Sequence, residues 1–186
     1  MDSPKLFFVF TIPLFILMLP GCEMNSHAGK RIFFRDALLY NEYIVARQKE
    51  LIGDIDVYNM ASQHNYIFAI KTLDSILLHT SQSLLDIQNM APYKNDSSFR
   101  EVSADFFKYY ADRFVKDNKK LILIKMKMDS GKAVSADYKD LQELDKKISS
   151  QSESVQARLE EIQGRFARRN NFQLSGRVNN DEQLKN

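Results

Sequence analysis

From Phe33 onward the apolar residues recur at intervals of three and four, the spacing that lines one face of an α-helix. A first pattern, from about Phe33 to Tyr58, puts Phe34, Leu38, Asn41, Ile44, Val45, Gln48, Leu51, Ile52 and Ile55 on one stripe. A second, from about Ser62 to Asn89, carries Ile67, Ile70, Leu73, Leu77, Thr80, Ser81, Leu84 and Gln88. It stops ahead of Pro92, because proline disfavours the α conformation in the residue before it. The third follows the turn-rich run Tyr93-Lys94-Asn95-Asp96-Ser97-Ser98, where Ser97 or Ser98 is expected to cap and Glu101 to complete a capping box with Ser98. Its stripe of Phe99, Val102, Phe106, Tyr109, Tyr110, Phe114, Leu121, Ile124 and Met128 ends before Asp129-Ser130-Gly131. The fourth, with Ser135 as its expected cap, reads Tyr138, Leu141, Leu144, Ile148, Ser152, Val155, Leu159, Ile162 and Phe166.

Short turns between long helices make sequential neighbours antiparallel. The fold class expected is therefore all-α: an antiparallel up-down-up-down four-helix bundle with long helices. After Cys22 the only proline is Pro92, and the glycines are sparse, too little punctuation for a β-rich domain. The least marked boundary lies near Asn59 to Asn65, where neither Gly nor Pro signals a reversal. If the first two helices ran on as one, a long dimeric coiled coil would result.

The chain opens differently. Residues 6–19, LFFVFTIPLFILML, form an apolar run behind Lys5, interrupted only by Thr11 and Pro13. That is the size of a signal-peptide core, whereas a spanning helix needs about 20 apolar residues. The run ends in Leu19-Pro20-Gly21-Cys22, which resembles the bacterial lipoprotein box. The resemblance implies lipidation of Cys22, the only cysteine of the chain, after removal of the segment before it. The alternative is an ordinary signal peptide cleaved nearby, leaving a free thiol. Several acyl chains would hold the protein stably on a membrane without spanning it, since each buried CH₂ contributes about 0.8 kcal/mol. Glu23 is not the acidic residue of the inner-membrane retention signal, so the outer membrane is the expected address, on either its surface or its periplasmic face. The expected organisation is a signal peptide over 1–21, a lipidated tether over 22–32, the bundle over 33–172 and a flexible tail over 173–186.

Tyr40-Asn41-Glu42-Tyr43-Ile44-Val45, Pro92-Tyr93-Lys94-Asn95-Asp96-Ser97-Ser98-Phe99-Arg100 and Phe166-Ala167-Arg168-Arg169-Asn170-Asn171-Phe172 resemble recurring segments of small, uncharacterised bacterial helical lipoproteins described as surface proteins. That resemblance implies a helical surface or periplasmic lipoprotein and supplies no catalytic residues.

Composition narrows the chemistry. The 186 residues carry 26 basic and 24 acidic side chains, a net charge of +2, so no chain-wide field calls for nucleic acid as a partner. A single cysteine excludes an internal disulfide framework and a cysteine-built zinc site. No Glu-x-x-His pair, G-x-S-x-G, phosphate loop or H-E-x-x-H occurs, and His27, His64 and His79 are scattered. Neither a metal nor a cofactor is expected, and no catalytic residue is assigned: the sequence reads as a non-enzyme.

Two constellations remain. Counted outward from the turns, Gln48, Thr80, Tyr110 and Ser152 fall at similar heights and form a candidate polar layer in the core, either a ligand pocket or a hydrogen-bonded layer that fixes helix register. The same topology gathers Lys30, Arg31, Arg35, Lys94, Arg100, Arg165, Arg168 and Arg169 at the end that carries the lipid. This basic end is a candidate membrane-facing surface, since cationic side chains near anionic lipid gain about 1 kcal/mol each. Alternatively, Arg165, Arg168 and Arg169 merely complement the negative end of their helix. In Phe106-Phe107-Lys108-Tyr109-Tyr110, Phe107 lies off the stripe and would mark a partner site if exposed in an apolar patch. The expected function is a non-catalytic, membrane-anchored lipoprotein of the cell envelope acting as an interaction or scaffold module, with an unidentified protein partner. The alternative is a periplasmic binding module for a small ligand or client polypeptide.

Overall fold

The computed structural model describes residues 31–174; Cys22, Lys30, the apolar leader and most of the tail lie outside them. The described chain is all-helical, with four long helical rods. Helix α1 spans Ala37–His64 and α2 spans Tyr66–Gln88. The third rod is composite: α3 (Ser98–Tyr109), one π-helical turn (Tyr110–Phe114) and α4 (Val115–Asp129) follow one another with helical backbone angles throughout. Helix α5 spans Ser135–Arg169.

The helix ends differ from the sequence expectation, and the reasons are local. Asp36 caps α1 by accepting from the Leu38 and Leu39 N–H groups at 2.7 and 3.0 Å, so the helix starts four residues later than Phe33. It also runs on past Tyr58, because the break falls at Asn65 alone. The Asn65 N–H closes α1 on the Ala61 carbonyl, and its Oδ1 caps α2 by accepting from Phe68 N–H at 3.0 Å. One asparagine with extended φ thus separates the first two helices without Gly or Pro. Before α3 the capping box is absent. The Asp96 carboxylate takes both the Ser98 N–H and the Ser98 hydroxyl, and Ser97 turns its hydroxyl to Glu101. At α5 the cap is Asp137, which accepts the Val134 N–H at 3.0 Å, while Ser135 is the first helical residue.

Packing also rotates two of the stripes. On α1 the core takes Ala37, Tyr40, Asn41, Ile44, Leu51, Tyr58 and Ala61, leaving Leu38 and Ile52 exposed. On α2 it takes Ala69, Thr72, Leu73, Ile76, Thr80, Ser83 and Ile87, while Ile67 faces solvent. The small residues on the buried side of α2 let its neighbours approach closely. Along the seam between α1 and α2, Arg47 pairs with Asp86 at 2.7 Å and Asp54 meets His79 at 2.6 Å. The third stripe is buried as its spacing predicts, with Phe107 added to it: Phe107 is fully buried, edge-on to Phe106 at 5.3 Å, and marks no surface site. On the fourth, Leu144, Leu159 and Phe166 are buried, whereas Tyr138 is exposed.

The core is densest at one end, where Tyr40, Tyr93, Phe99 and Phe166 stack with ring centroids 5.1 to 6.3 Å apart. Here the chain leading into α1 is tied down: Ile32 N–H donates to Asn89 O at 2.9 Å, and Ala91 N–H to Ile32 O at 2.8 Å. The next turn, Tyr93 to Asp96, holds Lys94 and Asn95 at φ of 48° and 66°, the left-handed pair that a type I′ turn requires. It aims Asp96 and Ser98 at the end of α5.

Candidate functional site: the arginine-lined end

At i, i+3 and i+4, Arg165, Arg168 and Arg169 share one face of the last turns of α5. With Asp96 and Ser98 they line a cleft of about 450 Å³ between the end of α5 and the start of α3. Arg169 crosses to Asp96 at 2.7 Å and to the Ser98 hydroxyl at 3.4 Å. Arg165 makes only an exposed pair with Glu161 one turn back, at 3.5 Å. Arg168 has no ion pair among the described residues. The hydrogen bonds from Ser98 hold the Asp96 carboxyl below the usual carboxylate range, and Arg169 and Arg165 add to that effect against the opposing pull of burial. Asp96 is therefore an anion under ordinary conditions, and it neutralises one guanidinium of three.

The arginines do not cap their own helix. The Phe166, Ala167 and Arg168 carbonyls near the end of α5 are taken by the N–H groups of Asn170, Asn171 and Phe172 and by the Asn170 side chain on Phe166 O at 2.9 Å. At the start of α3, whose Ser98 lines the cleft, the Asp96 carboxylate already takes the Ser98 N–H at 2.9 Å, and no side chain caps the next two N–H groups. Such a terminus carries partial positive charge.

The other basic residues expected here divide. Arg31 and Arg35 are exposed. Arg100 turns inward, donating from Nη1 to Met90 O at 2.9 Å, so it braces the turn and does not extend the basic surface. Lys94 lies with Nζ 5.3 Å from the centre of the Tyr93 ring. Asp96 and Ser98 were not marked by the sequence as partners of these arginines; the only signal for them is the Asn-Asp-Ser turn before a helix.

The candidate polar layer comes together in part: Tyr110 and Ser152 meet, the Ser152 hydrogen bond lowering the Tyr110 pKa against the larger upward pull of burial. Ser152 is hydrogen-bonded to the neighbouring Tyr109 hydroxyl at 2.9 Å, and burial raises the pKa of both Tyr109 and Tyr110. Thr80 donates back to the Ile76 carbonyl of its own helix at 2.5 Å. Gln48 lies elsewhere, on an open groove of about 640 Å³ between α1 and α5 that Asn41, Gln156 and Gln163 also line. Gln163 Nε2 donates to Asn41 Oδ1 across it at 2.8 Å, whereas Gln48 Nε2 is enclosed without a hydrogen-bond partner.

Among the described residues no helix is long and apolar enough to cross a membrane, and no group of three metal-binding side chains converges. No protein-family model, no curated protein and no solved structure matches the chain.

Proposed function

We propose that this chain is a non-catalytic lipoprotein of the bacterial cell envelope, anchored through Cys22, whose rods form an antiparallel up-down-up-down bundle that serves as an interaction or scaffold module. One observation carries the reading. The segment leading from the tether is pinned at Ile32 to Asn89 and Ala91, next to the turn whose Asp96 holds Arg169. The lipid would therefore enter at the end bearing the arginine cleft, and that end would lie against the membrane, with the rods standing away from it. The bundle topology is supported by the paired heights of Arg47 with Asp86 and Asp54 with His79, which run in opposite directions along α1 and α2.

The test is fractionation of cells carrying the wild-type chain or Cys22→Ser, followed by protease treatment of intact and permeabilised cells. Wild type is expected in the membrane fraction and Cys22→Ser in the soluble one. A variant as membrane-bound as wild type would overturn the anchor. Cleavage in intact cells would place the module at the surface with an external partner.

A second reading, a periplasmic binding module, is favoured by the groove between α1 and α5, which Asn41, Gln48, Gln156 and Gln163 line with amide groups. Protection from protease until permeabilisation is the outcome that favours it.

A further inference from the structure

We infer that the cleft of Arg165, Arg168, Arg169 and Ser98 is a binding site for a phosphate group. The inference draws on the proposed envelope location only in choosing a lipid as one probe; the site itself follows from charge and geometry.

Three guanidinium groups on one helical face repel one another, and like charges at these spacings destabilise a helix by a few tenths of a kcal/mol per pair. The negative end of α5 accounts for part of this charge, yet the carbonyls of Phe166, Ala167 and Arg168 are bonded by Asn170, Asn171 and Phe172 and take no donor from the arginines. Asp96 bonds Arg169 directly and acts on Arg165 only through space. Arg165 is held by one exposed pair with Glu161, of a kind that contributes little, and Arg168 pairs with no acid among the described residues. Two planar cationic forks thus line the same cleft, Arg168 with no acid to hold it and Arg165 with one weak exposed pair, beside the Asp96 carboxylate that holds Arg169.

The ligand class follows from the donors. Guanidinium forks match the oxygen spacing of phosphate and carboxylate, and the tetrahedral phosphate, with its several oxygens, can accept from two forks at different angles together. The cleft volume, about 450 Å³, admits a phosphate with a small organic substituent. The aromatic cluster behind the cleft makes its floor rigid: Phe166 lies between Arg165 and Arg168 in sequence and is fully buried against Tyr40 and Phe99. A phosphate group could come from a lipid headgroup or from a soluble phosphate, and the experiment separates the two.

The full-length protein in a zwitterionic detergent is titrated calorimetrically with inorganic phosphate, with dihexanoylphosphatidylglycerol and with dihexanoylphosphatidylcholine. The pair Arg165→Gln/Arg168→Gln is compared with Lys120→Gln/Lys139→Gln, which removes the same charge from the remote stretches of α4 and α5. Arg169 is retained in both, so the bridge to Asp96 stays. Phosphate or the phosphatidylglycerol is expected to bind saturably, weakened at least about tenfold in the arginine pair and unchanged in the lysine pair. Binding of inorganic phosphate identifies a soluble ligand as sufficient. Binding of the phosphatidylglycerol without that of phosphate or phosphatidylcholine identifies an anionic headgroup. Absence of binding by all three probes, or equal weakening in both variants, overturns the site. Failure of the Cys22→Ser fractionation would remove the anchor and leave the phosphate titration standing.

Discussion

The rings of Tyr40 and Phe166 lie 5.4 Å apart at 35° to one another, joining the first turn of α1 to the last turns of α5. Phe166 also touches Phe99 at 5.1 Å and Tyr93 at 5.7 Å, so one side chain ties three rods and a turn together. Phe166→Ala is expected to lower unfolding stability by about 3 to 5 kcal/mol, measured by urea denaturation followed by circular dichroism. A loss under 1 kcal/mol would show that the end is held by other contacts.

The Tyr40 hydroxyl in the same cluster is buried without a hydrogen-bond partner. Burial pushes its pKa up to about 12, with Arg100 lowering it and Asp96 raising it. Below pH 10 both folded and unfolded states keep the proton. Between about pH 10 and pH 12 the unfolded chain loses it first, so stability falls as pH rises through that window. Tyr40→Phe should flatten the fall and be neutral or slightly stabilising at pH 7. A clearly destabilised Tyr40→Phe would mean that the hydroxyl has a partner.

Midway along the molecule, the Tyr58 hydroxyl donates to Asn118 Oδ1 at 2.8 Å, and Asn118 Nδ2 donates to Phe114 O at 2.9 Å. Both residues are buried. Tyr58→Phe strands the asparagine oxygen and should cost about 1 to 3 kcal/mol, whereas Tyr58→Phe combined with Asn118→Leu should recover part of the loss. A double-mutant cycle that sums to zero coupling would contradict the pairing.

Acid should act through Asp96. Its folded pKa is depressed, chiefly by the Ser98 hydrogen bond, so its contribution is present above its unfolded value of about 3.9 and is lost as pH falls through the folded one. Urea midpoints measured from pH 6 downward should drop below about pH 4, and Asp96→Asn should shallow that drop. An unchanged slope would remove Asp96 from the acid response.

Gln48 and Ser152 should respond in opposite directions. Gln48→Met relieves an enclosed donor that has no partner and is expected to be neutral or stabilising by about 1 kcal/mol. Ser152→Ala leaves the Tyr109 hydroxyl with only the longer bond to Ile148 O at 3.3 Å and should destabilise. Thermal unfolding of the two single variants decides it; a destabilised Gln48→Met would indicate that its amide is bonded.

The rods were legible in the sequence because their apolar periods are long, and the third was legible almost residue by residue. The faces of α1 and α2 were not. In α2 the stripe through Ile67, Leu77 and Leu84 and the one through Ala69, Ile76, Ser83 and Ile87 both obey helical spacing; the second is the buried one, with Leu84 half-buried at its edge. In α1 the rings of Tyr40 and Tyr58 displaced Leu38 and Ile52, an outcome that treating tyrosine as half polar conceals. Of the basic end, Arg165, Arg168 and Arg169 were found from the expected topology, which puts the end of the last helix beside the second turn. Asp96 and Ser98 needed the left-handed turn at Lys94 and Asn95 to bring them across, and Arg100 was lost to a backbone carbonyl that no side-chain pattern reveals. The height count behind the polar layer brought Tyr110 to Ser152 but missed Tyr109, which shares that serine, and it misplaced Gln48, which lies on another groove.

The π-helical turn at Tyr110–Phe114, closed by the Val115 N–H on the Tyr110 carbonyl, acts as a phase shifter within the third rod. One additional residue per turn offsets everything downstream by about 100° around the axis. Ile122 is consequently turned into the core and Leu123, beside it, toward water. Removing a single residue from that turn would leave a continuous α-helix of ordinary propensity while rotating the whole of α4 by about 100°, carrying part of its inner face out to solvent. The protein's tolerance of length changes is therefore uneven: a deletion in this one turn would be read as a frameshift of the surface.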